Sequence, residues 1–142
     1  MQKTGHIILY GFLIWLIPFV TSFFFYGPEN TLIIDLIFFK TIMIVVGSLV
    51  GVCLAVKYFS LLSENYYTAG IGAGIMWFSI SILLDYIVLL PISQMHFNDY
   101  MLEIGLRYLM IPIITIGMGF VLDLKGTSDI SLKKEVIKGS DE

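Results

Sequence analysis

The sequence carries very little charge for its length. Of 142 residues only 13% are charged, whereas 58% are hydrophobic and the mean hydropathy is +0.92. An ordinary soluble domain has roughly 25% charged residues, so this composition excludes a soluble globular chain and indicates a protein solvated by lipid. The formal net charge of −3 comes from scattered acidic residues, and it provides no basic surface for a nucleic acid.

Cysteine and histidine are also scarce. The one cysteine, Cys53, excludes a disulfide framework, a cysteine-ligated metal site and the chemistry of a quinone-linked thiol oxidase. The two histidines, His6 and His96, are expected at opposite membrane faces, which argues against a haem. A metal could in principle be bound by the H-x-x-D-x-x-x-E set of His96, Asp99 and Glu103. One histidine and two acids at a helix start are, however, more typical of a helix cap and a solvated loop. We therefore predict no metal, no cofactor and no catalytic residue.

Long apolar runs make up most of the chain. A spanning helix needs about 20 mostly apolar residues, and the segments that qualify are residues 7–26, 32–58, 70–92 and 100–122. Their short connections predict an all-α, antiparallel bundle of four transmembrane helices, followed by a polar cytoplasmic tail at residues 123–142. A signal peptide is the alternative for the first run, but its length and its aromatic end favour a spanning helix.

The basic residues predict how the bundle is oriented. Lys3, Lys57 and the four lysines of the tail border one side, whereas Lys40 and Arg107 border the other. By the positive-inside rule, both termini are expected in the cytoplasm. The predicted location is the inner or plasma membrane, where the lipid bilayer is the main partner. A homo-oligomer and association with a larger membrane partner are both alternatives that the sequence leaves open.

Glycines mark the expected packing faces of two helices. Gly47 and Gly51 lie four residues apart in the second span, and Gly70 and Gly74 open the third. Small residues at this spacing let helix backbones approach closely. The Gly-x-Gly-x-Gly string at residues 70–74 is not interpreted as a phosphate loop, because no strand precedes it and no Lys-Ser or Lys-Thr follows it.

One carboxylate, Asp85, stands inside the apolar run of the third span. A charge in hydrocarbon is expensive and needs a partner or a purpose. Asp85 shares a helical face with Gly74 and Ser81. Counted from the predicted span ends, Lys40, Asp85 and Arg107 lie in one layer, roughly 10 to 12 Å below the outer surface.

A polar recess is therefore predicted in the outer half of the bundle. The candidate residues for binding a solute or ion in this recess are Asp85, Lys40, Arg107, Glu103, Ser81 and Ser22. Its expected border also includes Pro18 and the hydroxyls of Tyr26, Tyr86 and Tyr108.

Two functional hypotheses remain open for these residues. In the first, the recess binds or transports a small polar or charged solute. In the second, the protein is a non-catalytic accessory subunit whose Asp85 forms a structural ion pair with Lys40 or Arg107. Glu103 and Arg107 are also spaced i, i+4 in the favourable order for an intrahelical pair.

A family resemblance is carried by three parts of the chain. They are the run LLDYIVLLPISQMHFNDYMLEIGLRYLMIPIITIGMGF at residues 83–120, the stretch PFVTSFFFY at residues 18–26, and the Lys40 helix. It resembles small uncharacterised four-helix integral membrane proteins of bacteria and archaea. The resemblance covers nearly the whole chain and implies a prokaryotic inner-membrane location, but it brings no activity. Small multidrug exporters also have four helices, but their membrane carboxylate is on the first helix, where this chain has none.

Overall fold

The computed structural model describes residues 2–28, 31–93 and 96–140, and the regular elements in these ranges are all helical. The predicted turn residues Glu29 and Asn30 and the last two residues of the predicted tail lie outside the described residues. The α-helices are α1 (Gln2–Phe23), α2 (Leu36–Ser60), α3 (Tyr66–Leu84), α4 (Leu90–Ser93), α5 (Phe97–Glu103) and α6 (Met110–Ser140). A π-helical segment, Asp85–Leu89, joins α3 to α4, and a 3₁₀ segment, Gly105–Leu109, joins α5 to α6.

Stretches long and apolar enough to cross a membrane make up most of this structure. The four such stretches are Gly5–Phe23, Leu36–Ser60, Tyr66–Ile92 and Gly105–Asp129. For the described residues, the predicted all-α class is confirmed, and so is the presence of four helices long and apolar enough to span a membrane.

Asp35 sets the start of α2. Its Oδ1 accepts hydrogen bonds from the backbone N–H groups of Ile37 at 2.9 Å and Phe38 at 3.3 Å. These N–H groups have no partner inside the helix, so the carboxylate acts as an N-cap. The helix therefore begins at Leu36, later than the predicted residue 32, and Lys40 lies in its first turns.

Asp123 of α6 caps the start of α3. Its Oδ1 accepts from the N–H of Tyr66 and its Oδ2 from the N–H of Tyr67, both at 3.0 Å. Asn65, which precedes α3 in the left-handed conformation with φ 57°, makes no side-chain cap of its own. The third span thus begins earlier than the predicted residue 70. The predicted tail begins as a continuation of α6, which reaches Ser140, so residues 123–140 do not form a segment separate from the last helix.

Two glycines bring α3 against α6. A methyl group added at Gly70 would stand 2.5 Å from the carbonyl oxygen of Thr115. One added at Gly74 would stand 2.8 Å from the Cα of Pro112. A side chain at either position would displace backbone, so the close approach of these helices requires glycine.

Trp77 joins α3 to α1 at the centre of the core. Its side chain is fully buried, and its Nε1 donates to the carbonyl oxygen of Ile7 at 2.8 Å. Tyr58 of α2 packs edge-on against the same indole, with the ring centroids 5.6 Å apart. Trp77 therefore belongs to a buried core to which α1, α2, α3 and α6 all contribute.

The π-helical segment has a local cause in Pro91. Proline has no N–H, and in a regular helix its ring conflicts with the carbonyl of the residue four positions earlier, which is Ile87. A wider turn relieves this conflict. The N–H of Leu90 accordingly bonds to the carbonyl of Asp85, so Asp85 is the first residue of the widened turn.

Candidate functional site

A cavity of about 380 Å³ lies between α1, α2 and α6. Its wall on α2 runs from Leu36 to Gly51, which is about four helical turns or roughly 20 Å. Small-molecule pockets usually measure about 300 to 1,000 Å³ and combine an apolar wall with a few polar groups. This cavity has that composition, because its lining is mostly aliphatic and aromatic. The charged residues in its lining are Lys40, Asp85, Glu103 and Arg107.

The structure brings most of the predicted binding residues to this cavity. The predicted residues that line it are Ser22, Lys40, Asp85, Glu103 and Arg107, together with Pro18, Tyr26 and Tyr108. Ser81 and Tyr86 are outside the lining. Ser81 is fully buried, and its hydroxyl has no hydrogen-bond partner in the described part of the chain. Tyr86 is 58% exposed on the surface of the bundle.

Three neutral donors hold the carboxylate of Asp85. The Nε1 of Trp15 donates to Oδ1 at 2.6 Å, and the hydroxyls of Tyr100 and Tyr108 donate to Oδ2 at 2.8 Å each. These donors belong to α1, α5 and the 3₁₀ segment. Asp85 is only 1% exposed, so its hydrogen bonds join three elements in the interior of the bundle.

The expected ion pair of Asp85 with Lys40 or Arg107 is not formed among the described residues, where the one salt bridge joins Lys40 to Glu103. The physical reason is the cost of desolvation. Burying a second charge beside a carboxylate costs several kcal/mol before the attraction repays it. Indole and phenol groups supply hydrogen-bond donors on apolar rings, so they satisfy the carboxylate without that cost.

Lys40 and Glu103 form a partly exposed ion pair. The Nζ of Lys40 lies 2.7 Å from Oε2 of Glu103, and their side chains are 30% and 45% exposed. The hydrogen bond from Lys40, and then its charge, lower the pKa of the Glu103 carboxyl. The predicted intrahelical pair of Glu103 with Arg107 is replaced by this contact, because α5 ends at Glu103 and a 3₁₀ segment follows. The i, i+4 geometry of an α-helix is lost there.

Arg107 contributes an uncommitted cation to the wall of the cavity. Its side chain is partly buried and makes no hydrogen bond or ion pair with any residue that the structure describes. Its charge acts on Glu103, but that carboxylate is already in contact with Lys40. The five N–H donors of a guanidinium are therefore available at this point of the lining.

Gly47 and Gly51 leave space in the cavity. A methyl group added at Gly51 would meet no atom within 4 Å, and one added at Gly47 would meet only the Cγ of Pro18 at 4.0 Å. The packing role expected for these glycines is therefore corrected: they line the cavity, whereas Gly70 and Gly74 make the close contacts between helices.

The charges lie at two depths instead of the single predicted layer. Lys40 is only about 6 Å along the helix from the end of its span at Leu36. Arg107, in the 3₁₀ segment, is only about 4 Å from the end of its span at Gly105. Asp85 lies roughly 10 Å from the end of its span at Ile92. The difference arises because two spans begin later than their apolar runs. Asp85 is thus deeper in the bundle than the Lys40–Glu103 pair and Arg107.

Trp15 and Tyr100 are the donors to Asp85 that sequence reasoning does not identify. Trp15 shares a helical face with Pro18 and Ser22, and this periodicity is the available signal. Tyr100 offers none, because the apolar pattern does not separate the short helix α5 from the span that follows it.

Among the residues that the structure describes, no group of three His, Cys, Asp or Glu side chains is placed to hold a metal ion. No protein-family model matches the chain, and the searches of curated proteins and of solved structures find no match. The chemistry of the cavity is therefore the basis for a functional proposal.

Proposed function

We propose that the protein binds a small polar or charged solute in this cavity and moves it across the membrane. The observation that carries the proposal is the uncommitted guanidinium of Arg107 in the wall of a cavity between spanning helices. Ionisable groups inside membranes are expensive and often mark the paths of solutes and ions. Arg107 lies near the end of its span and has no partner among the described residues, so its guanidinium is available to a ligand that enters the cavity.

The proposal includes an orientation for the bundle. The spans are antiparallel, both ends of the chain lie in the cytoplasm and the cavity occupies the outer half. Short connections such as residues 61–65 support antiparallel neighbours. Lys57 at the end of α2 and the lysines after Asp123 support cytoplasmic ends. A prokaryotic inner membrane, as the family resemblance implies, belongs to the same proposal.

An accessory membrane subunit without transport activity is the second candidate function. The ion pair between Lys40 and Glu103 favours it, because this contact joins α2 to α5 and orders the bundle. A purely structural role, however, uses neither the guanidinium of Arg107 nor the space beside Gly51. These two features therefore distinguish the hypotheses by experiment.

Thiol labelling tests for a solute-accessible cavity. In a Cys53→Ser background, we expect Ser48→Cys, which lies in the cavity wall, to react with a small membrane-impermeant thiol reagent added outside intact cells. Leu49→Cys is the matched control, because Leu49 is 65% exposed on the surface of the same helix and faces lipid in a spanning helix. Only a thiol in water ionises and reacts readily.

The same assay then tests for a ligand. Carboxylates, phosphates, ammonium compounds and zwitterions are added in turn, and a solute that binds in the cavity should slow the labelling of Ser48→Cys. Equal inertness at both positions would exclude a cavity open to the outside. Labelling that no solute slows would favour the accessory subunit.

A further inference from the structure

We infer that the solute is an amphipathic monoanion, whose charged head binds Arg107 and whose apolar body lies in the slot beside Gly47 and Gly51. The inference rests on the proposed binding function and names the chemical class of the ligand. It follows from the charges in the lining and from the shape of its apolar part.

Among the residues that the structure describes, the charges that line the cavity leave one cation without a partner. Lys40 and Glu103 neutralise each other at 2.7 Å. Asp85 is 1% exposed and already accepts three hydrogen bonds, so its carboxylate offers little to a ligand. Arg107 remains. A cationic ligand would be repelled by it, whereas a carboxylate, sulfate or phosphate head can accept two parallel hydrogen bonds from a guanidinium.

The apolar part of the cavity is too extensive for a small inorganic anion. From the level of Lys40 the wall on α2 continues through Gly47 to Gly51, where no side chain fills the space. The apolar residues in the lining of the whole cavity include Ile14, Met43, Ile44, Ile111 and Ile114. An apolar chain lying there removes its surface from water, which contributes about 25 cal/mol per Å² buried. The head and the body of one ligand are thus both accommodated.

Two sources of such a ligand share this chemistry. One is a free amphipathic acid, such as a medium-chain carboxylate, and the other is an anionic phospholipid. Both present a monoanionic head on an apolar chain. The same experiment tests the shared class and separates the two sources.

The test uses the full chain in nanodiscs of zwitterionic phosphatidylcholine. The probe is decanoate with a bromine at the end of its chain, and the signal is quenching of tryptophan fluorescence, because Trp15 lines the cavity. We expect saturable quenching by the wild-type chain. Arg107→Gln should weaken binding by about 10- to 100-fold, the usual effect of losing a charge-assisted hydrogen bond.

Gly51→Leu tests the slot. A methyl group at Gly51 meets no atom within 4 Å, and the position lines the cavity, which has room for the rest of the leucine side chain. We therefore expect this variant to fold and to melt as the wild type does while saturable quenching is lost. Lys57→Gln is the matched control for the loss of a cation, since Lys57 is exposed at the far end of α2 and outside the cavity. It should bind the probe as the wild type does.

The comparison probes decide what a failure means. If a bromine-tipped decyl ammonium binds as well as decanoate, or if Arg107→Gln leaves decanoate binding unchanged, the inferred class is overturned and the proposed function stands. Binding of inorganic phosphate that Gly51→Leu does not change would also overturn it. If neither these probes nor the wider set of solutes binds, the proposed function fails as well.

Nanodiscs of phosphatidylglycerol identify the source. An anionic lipid is supported by two results together. Decanoate binding is displaced in these discs, and native mass spectra show phosphatidylglycerol retained by the wild type and lost from Arg107→Gln. Undiminished decanoate binding supports a free acid. Either result supports an amphipathic monoanion.

Discussion

Removing the hydroxyl of Tyr108 tests how Asp85 is stabilised inside the bundle. Tyr108→Phe deletes one of the two donors to Oδ2, at 2.8 Å, and leaves the ring in place. A hydrogen bond to a charged group contributes about 1.5 to 3 kcal/mol in soluble proteins, whereas interhelical bonds in membranes average about 0.6 kcal/mol. Asp85 is 1% exposed, so its carboxylate depends mainly on these protein donors. We expect a loss of about 1 to 3 kcal/mol in the free energy of unfolding.

Substitutions of Asp85 itself extend this prediction. Asp85→Asn should cost less than Asp85→Leu, because the amide oxygen still accepts and a tyrosine hydroxyl can rotate to accept from the amide nitrogen. Asp85→Leu leaves all three donors without their acceptor and should be the most destabilising of the set. Adding Arg107→Met to Asp85→Leu should give no rescue, because the two side chains are not an ion pair.

The assay is unfolding of the purified protein in mixed micelles, followed by circular dichroism. Tyr86→Phe is the matched control, since Tyr86 lies next to Asp85 in the chain but is 58% exposed. Equal effects of Tyr86→Phe and Tyr108→Phe would refute the reasoning. Recovery of stability when Arg107→Met is added to Asp85→Leu would do so too.

Three other predictions concern packing, capping and pH. Gly74→Val should cost about 1 to 3 kcal/mol or more by forcing α3 from α6, whereas Gly51→Val, in open space, should leave the melting temperature nearly unchanged. Asp123→Ala removes the cap of α3 and should lower the free energy of unfolding by about 0.5 to 2 kcal/mol. Backbone amides at the start of that helix should then exchange hydrogen faster. Lys40 holds the pKa of Glu103 below its ordinary value of 4.5. The ion pair therefore stabilises the fold fully above pH 4.5, and this stabilisation is lost as the pH falls through the lowered pKa of Glu103. Lys40→Met should remove this acid-dependent step from the melting curves, and an unchanged step would contradict the assignment.

The spans could be predicted from sequence because apolar length alone determines which segments can cross a membrane. Their starts could not, since they depend on caps. Asp35 begins α2 through a local contact, and a pattern of that kind is readable in principle. Asp123 begins α3 from another helix, so its role requires the tertiary arrangement.

The surroundings of Asp85 show where sequence reasoning about the site stops. A buried carboxylate suggests a cationic partner, and Lys40 is the right kind of residue at a plausible depth. The start of α2 at Leu36 instead places Lys40 near the end of its span, against Glu103. The actual donors include Trp15, which is distant in sequence, and Tyr100, in a short helix that apolar periodicity does not reveal.

The central claim, that the cavity between α1, α2 and α6 binds a solute, is tested most directly by solute protection of a cavity thiol. The measurement is the labelling rate of Ser48→Cys with and without a saturating solute, in the otherwise wild-type cavity and in one filled by Gly51→Leu. We predict that the solute slows labelling in the first and not in the second. Equal slowing in both would place the solute outside the cavity and contradict the account.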